Sequence, residues 1–227
     1  PSNPILYAPA MNLLDEIGLR EADYEAASTV VKNAVMEFTG RFTAEFVVPD
    51  VAGRDYVRGL DRRAFDDLLW KRLQKSVVAV DGFGVSGVVK DAAGRVVGVE
   101  GSREGGDVEV YGANVAVVGA DGRHSAVARF VGAAVTLEQA AHTSTVHLAE
   151  WTGLRPAGSR EGPAVHIVAT GRGKNVLMFP SAGGRVSVCT HIRSDRVDVG
   201  GDVEGWYLRQ IEALPEARAR LEGATRV

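Results

Sequence analysis

Hydrophobic positions along this chain follow first a helical period and then a strand period. Within residues 10–19, Met11, Leu14 and Ile17 fall three apart on one helical face, and Gly18 supplies a stop. A second helical pattern covers residues 22–38 and ends at Gly40, after which Phe42, Ala44, Phe46 and Val48 alternate as a strand closed by Pro49. Asp61 then caps a helix whose Phe65, Leu68, Leu69 and Leu73 form one stripe. Asp66 and Asp67 stand near its start and Lys71 and Arg72 near its end, as the helix dipole favours.

Beyond that helix, β-branched residues and glycine take over. Residues 77–80, 85–89, 96–99 and 108–111 read as short strands joined by turns such as Asp91-Ala92-Ala93-Gly94, a small antiparallel meander. Residues 114–120 are apolar on both faces, the pattern of a strand in the middle of a parallel sheet, and they run into Asp121-Gly122. Ser125 opens a short helix to Phe130. Alternation returns over residues 143–151, 164–170, 175–179 and 185–192, which implies a second sheet. Helical segments at 206–214 and 216–221 close the chain, the latter just after Pro215, where proline is tolerated.

Composition narrows the classes. The 227 residues are 45% hydrophobic and 24% charged, enough apolar material for a sizeable core. Lys and Arg total 26 against 29 Asp and Glu, and a net charge of −3 gives no basic field for a phosphate backbone, so nucleic acid is not expected. The longest apolar runs fall far short of the roughly 18 residues of a membrane span, so no stable membrane insertion is expected. A single cysteine, Cys189, excludes an internal disulfide and makes the cytoplasm the default. The opening Pro1-Ser2-Asn3-Pro4 has neither an initiator methionine nor a signal peptide and reads as a cut end.

No GxGxxG or GxxxxGK[ST] loop occurs, so any nucleotide site in the chain is expected to be partial. The histidines, His124, His142, His147, His166 and His191, show no i,i+4 pairing. Cys189 and His191 share one side of a strand without a second ligand pair, so no metal site is expected. No GxSxG marks a nucleophile. His147 and His166 fall on strands where a cavity-facing polar group would touch a substrate, although such a residue is more often exposed or satisfied within the sheet. Trp151, Trp206 and Phe179 are expected to pack.

Two stretches hold the candidate chemistry. In the first, small Gly119 and Ala120 arrive at the carboxyl end of an apolar strand, Gly122 turns the backbone, Asp121 offers a carboxylate to a sugar hydroxyl, and Ser125 opens a helix whose amides point outward. The same pattern fits a strand, a tight turn and a capped helix. In the second, Arg62 at the first turn of a helix can reach a diphosphate with a bidentate fork, or pair with Asp66 four residues on.

Together, in this order, these stretches resemble a known family. Gly119-Ala120-Asp121-Gly122 with Ser125 resembles the DG motif of class A FAD-dependent monooxygenases, the para-hydroxybenzoate hydroxylase fold group. Asp61-Arg62 with Phe65, Asp66 and Leu69 is similar to the DRxxFDxxL helix of its geranylgeranyl-reductase and flavin-halogenase relatives, and residues 85–99 resemble the family's meander, whose leading valine, here Val85, gives backbone groups to adenine. Residues 3–19 and the Phe179-Pro180 strand resemble further parts of the same fold.

The resemblance implies an α/β chain: a partial Rossmann-like (GR2-type) FAD-binding domain over residues 1–133, with an inserted antiparallel β-sheet substrate domain over 134–227. It implies FAD, reduced by NADH or NADPH, and hydroxylation of a small organic molecule. The cofactor contacts it implies are Arg62, Val85, Gly119, Ala120, Asp121, Gly122 and Ser125. The family's amino-terminal GxGxxG loop and carboxyl-terminal GDA segment have no counterpart in the sequence, so a central fragment that binds FAD weakly or not at all by itself is expected. Absence of a WxWxIP segment sets halogenation behind hydroxylation. A reductase (saturase) of the same family and a non-catalytic ligand- or protein-binding module are the alternatives.

Overall fold

The computed structural model describes residues 4–138, 144–171, 173–193 and 200–227. Two compact units divide the chain: Pro1–Arg72 with Gln139–Val227, and Leu73–Glu138. The architecture is mixed α/β.

In the first unit, elements follow in the order β1 (Ile5–Leu6), α1 (Ala8–Glu16), α2 (Glu21–Tyr24), β2 (Ser28–Val31), β3 (Asn33–Phe38), β4 (Phe42–Val47), β5 (Val57–Leu60) and α3 (Arg62–Leu73). After the second unit, whose elements are β6 (Phe83–Lys90), β7 (Val96–Arg103), β8 (Glu109–Gly112) and α4 (Ala126–Phe130), the first resumes. It continues with β9 (Ser144–Thr152), β10 (Ala164–Ala169), β11 (Lys174–Pro180), β12 (Val186–Arg193), α5 (Val203–Glu212), α6 (Pro215–Leu221) and β13 (Thr225–Arg226).

Seven strands form the main sheet in the order β13-β9-β12-β11-β10-β3-β4, antiparallel at every step except β10 beside β3. On its back, Val168, Val176, Met178 and Val188 are fully buried under Tyr207 and Ile211 of α5 and Ala217 and Leu221 of α6. Burial of each such aliphatic side chain contributes about 1.5–3 kcal/mol. A polar tie crosses this layer: Trp151 Nε1 donates to the Tyr207 hydroxyl at 2.9 Å, which donates to the Val188 carbonyl at 2.9 Å. On the front, Phe179 and Cys189 of the main sheet pack with Ile5, Val31 and Val57 of a small antiparallel sheet, β1-β5-β2.

The second unit is the antiparallel meander β6-β7-β8 with α4 beside β6. Its Asp91 turn is held by the Asp91 carboxylate, which accepts from the Ala93 and Arg95 amides at 3.0 and 2.9 Å.

Several sequence expectations are corrected. Residues 22–38 are helical only through α2 and a single 3₁₀ turn, Glu25–Ala27; the β-branched Thr29, Val30, Val31 and Val35 instead pair as β2 with β5 and β3 with β10. Residues 77–80 form no strand. Nor do residues 114–120: Val115 is 95% exposed and Val118 84%. A strand apolar on both faces needs hydrogen-bonded neighbours at both edges, and among the described residues none pairs with this segment. The compact units also do not divide at residue 133, because β3 and β4 join the sheet built by β9 to β13.

Candidate functional site

In the second unit, the Asp121 turn folds back on its own helix. Asp121 Oδ1 accepts from the Ser125 hydroxyl at 2.5 Å, and Oδ2 accepts from the amides of Ala126 at 2.6 Å and Val127 at 3.2 Å. Ser125, the N-cap of α4, accepts in turn from the Ala128 amide at 2.9 Å. Those donors, the Ser125 hydroxyl first, hold the Asp121 carboxyl below the usual carboxylate range. The outward amides expected at this helix start are thus corrected: three of them are already bonded to the two capping side chains.

Gly119 is required by close approach, since a Cβ there would lie 2.9 Å from the Val127 side chain. Gly122 has φ +84° with open space around it, and Ala120 is exposed. Val85 lies on β6, partly exposed, at a register irregularity between Val85 and Gly87. Gly119, Asp121, Gly122 and Ser125 therefore meet in one turn.

Arg62 belongs to the first unit. It begins α3, and its Nη2 meets both Asp66 carboxylate oxygens at 3.0 Å, so the i,i+4 pair has formed. Asp61 caps this helix as expected, accepting from the Ala64 amide at 3.1 Å while also receiving Arg185 Nη2. Arg62 and Asp66 line a pocket of about 210 Å³ together with Leu148, Glu150 and Ser187. There Ser187 donates to one Glu150 oxygen while the other is buried without a partner. Burial, aided by the Glu150 charge, pushes the Cys189 thiol up to about 12, which keeps it protonated and unreactive.

A larger cavity, about 470 Å³, opens on the front of the main sheet. Ala34, Phe46, Val165 and Ile167 form its floor, and Ile5, Ala8, Pro9 and Val57 close it from the other side. Its polar residues are Tyr7, Arg54 and Tyr56, and the last two are turned into a network behind the wall. Arg54 donates to Asp15 Oδ2 at 2.6 Å, to Glu21 Oε1 at 3.0 Å and to Asn12. The Tyr56 hydroxyl donates to Glu21 Oε1 at 2.5 Å, and Arg58 Nε donates to Glu21 Oε2 at 2.7 Å. Burial alone would raise Glu21, but the hydrogen bonds from Tyr56, Arg58 and Arg54 outweigh it and hold the carboxyl below its usual range. The remaining lining of this cavity, apart from Tyr7, is apolar.

The network was not among the sequence candidates. Its signal was present, because Arg54, Tyr56 and Arg58 recur at every second residue. The Glu150–Ser187 pair had no such signal, since only the β9–β12 register sets Ser187 opposite Glu150. Of the histidines, His166 is buried with Nε2 3.3 Å from Glu37, His147 lies against the Trp206 ring at 4.6 Å, and His191 Nδ1 is 3.3 Å from Asn175 Nδ2. Neither His147 nor His166 faces the front cavity. His142 lies outside the described residues.

No protein-family model and no curated protein matches the sequence. Solved structures do match the fold. The myxobacterial chondrochloren halogenase CndH superposes on 100% of this chain with a TM-score of 0.80 at 16% identity. The fold is that of the FAD-dependent halogenases and monooxygenases. A triple mutant of the flavin-dependent brominase Bmp2 matches 100% of the chain at TM-score 0.76 and 18% identity, and a geranylgeranyl bacteriochlorophyll reductase-like protein from Thermoplasma acidophilum matches 100% at 0.75 and 16%. The chain spans about half the length of these proteins: 52% of CndH, 56% of the brominase and 54% of the reductase-like protein.

Proposed function

We propose that this chain is part of an FAD-dependent oxidoreductase that hydroxylates an apolar organic molecule, with NADH or NADPH as reductant. The observation that carries the reading is the 470 Å³ cavity on the front of the sheet, in a fold shared with flavin-dependent enzymes. Its volume suits a small organic ligand, and its arginine and the hydroxyl of Tyr56 are neutralised by partners outside it, so an apolar guest strands no charge there.

The residues of the Asp121 turn fit a dinucleotide. Oδ1 carries a single hydrogen bond and keeps acceptor capacity for a sugar hydroxyl, and Gly122 leaves open space beside the backbone. Ser125 would hold the carboxylate in that orientation, and Gly119, Ala120 and Val85 would offer backbone groups. Bound FAD would supply the redox and oxygen chemistry, which needs no acid or base from the cavity. The fold match to a reductase-like protein favours a second reading, flavin-dependent reduction of an alkene in the same cavity.

The protein purified from its source tests the reading by its visible spectrum and intact mass. A flavin band is expected, and Asp121→Ala in that protein should lower flavin content. A colourless protein of 227 residues, indifferent to added FAD, would overturn the proposal.

A further inference from the structure

At the end of the main sheet where β9 leaves and β10 enters, a second cavity of about 720 Å³ is framed by residues 153–164, the β11–β12 turn and the end of α6. The framing loop is fixed rather than loose. The Ser159 amide and hydroxyl each donate to a Glu45 carboxylate oxygen at 2.8 Å, and Asn33 Nδ2 donates to the Glu161 carbonyl at 2.8 Å. Arg155 and Arg220 exchange backbone contacts: the Arg155 amide donates to the Arg220 carbonyl at 3.0 Å, and Arg220 Nε donates to the Arg155 carbonyl at 3.1 Å.

Among the described residues, four arginines line this cavity, Arg155, Arg160, Arg185 and Arg220, against one carboxylate, Glu161. Two of them are neutralised, Arg155 by Glu222 at 2.8 Å and Arg185 by Asp61. Arg160 is exposed and pairs with no described carboxylate. Arg220 is 8% exposed, its Nη1 is buried without a partner, and no described carboxylate lies within ion-pair distance of it. Burial pushes this guanidinium down to about 10, opposed by the field of Glu37. A desolvated guanidinium lacking a paired anion is a costly arrangement, and Nη2, neither bonded like Nε nor enclosed like Nη1, is the nitrogen left to donate to an oxyanion.

We infer that this cavity is a binding site for an organic oxyanion, a small molecule whose carboxylate or phosphate pairs with Arg220 and Arg160. A bare ion would leave most of the space unused, because about 720 Å³ lies within the range of small-molecule pockets. The inference is independent of the flavin reading, since no residue of the Asp121 turn or of the front cavity takes part.

Calorimetric titration of the 227-residue chain with inorganic phosphate, and separately with succinate, at constant ionic strength in sodium chloride, tests it. Saturable binding of either anion is expected, weakened about tenfold or more in Arg160→Gln. Phosphate alone identifies a phosphorylated ligand, and succinate alone a carboxylated one. Arg220→Gln should abolish binding where it folds, and the exposed Arg160 provides the decisive variant where it does not. Absence of saturable binding by both anions, or binding that Arg160→Gln leaves unchanged, overturns the inference.

Discussion

Gly59 shows how much can depend on a hydrogen in place of a methyl group. In β5 it passes so close to the end of β11 that a Cβ would stand 1.7 Å from the Pro180 carbonyl oxygen. Around this approach Ser181 Oγ donates to the Leu60 carbonyl at 2.9 Å and Thr29 Oγ1 to the Ser181 carbonyl at 3.0 Å, so the β5–β2 pair cannot part from the end of β11 without losing both bonds. Gly59→Ala should destabilise the chain by about 3 kcal/mol. A urea midpoint near that of the parent chain would refute the tight approach. Local roles were legible from sequence: Asp61 and Ser125 cap the helices they precede, because a cap is decided within three residues. The need for glycine at position 59, and the isolation of Arg220, arise from segments far apart in sequence and left no local trace.

Elements were legible where period and propensity agreed. The helix after Asp61, the meander β6-β7-β8 and the strands β9 to β12 follow the sequence pattern to within a few residues. Residues 22–38 misled because a helical spacing coincided with β-branched residues, and pairing with β5 and β10 decided for strands. Residues 114–120 misled because apolarity on both faces states what a segment needs, not whether neighbours provide it. The row Arg54, Tyr56 and Arg58 binds elements instead of forming one, since Glu21 at the start of α2 receives all three side chains. Glu21→Ala should therefore cost about 3–5 kcal/mol, chiefly by leaving the buried Arg58 without its carboxylate, though Ser28 Oγ still accepts from it at 2.8 Å. A double-mutant cycle with Arg58→Ala should show coupling above about 1 kcal/mol. Additive losses would mean that the network is solvent-screened.

The molecule as a whole carries a pH dependence set behind the sheet. His166 and Glu37 share the back face, Nε2 to Oε2 3.3 Å, under α6, from which Arg220 and Glu216 bear on them. Burial, helped by the Arg220 charge, depresses the imidazole from 6.5 to about 4. In the unfolded chain His166 would titrate near its ordinary value, so between pH 6.5 and about 4 the unfolded state binds the extra proton and stability falls as pH falls. The full window corresponds to about 3 kcal/mol. Glu37 acts in the opposite sense: burial first, then Glu216, raises its carboxyl despite Arg220, so its contribution is present at low pH and is lost as pH rises through the raised value. The carboxylates held low by hydrogen bonds, Asp15, Glu21, Asp61 and Asp121, lose their contributions only as pH falls below the ordinary carboxylate range, and they do so in every variant. Comparison of variants isolates the imidazole. Urea midpoints at pH 7, 6 and 5 should fall with acid in the parent chain, fall less in His166→Gln, and fall more steeply in Glu37→Gln. Parallel profiles for the parent and His166→Gln would show that the ring takes up its proton in the folded state as readily as in the unfolded one.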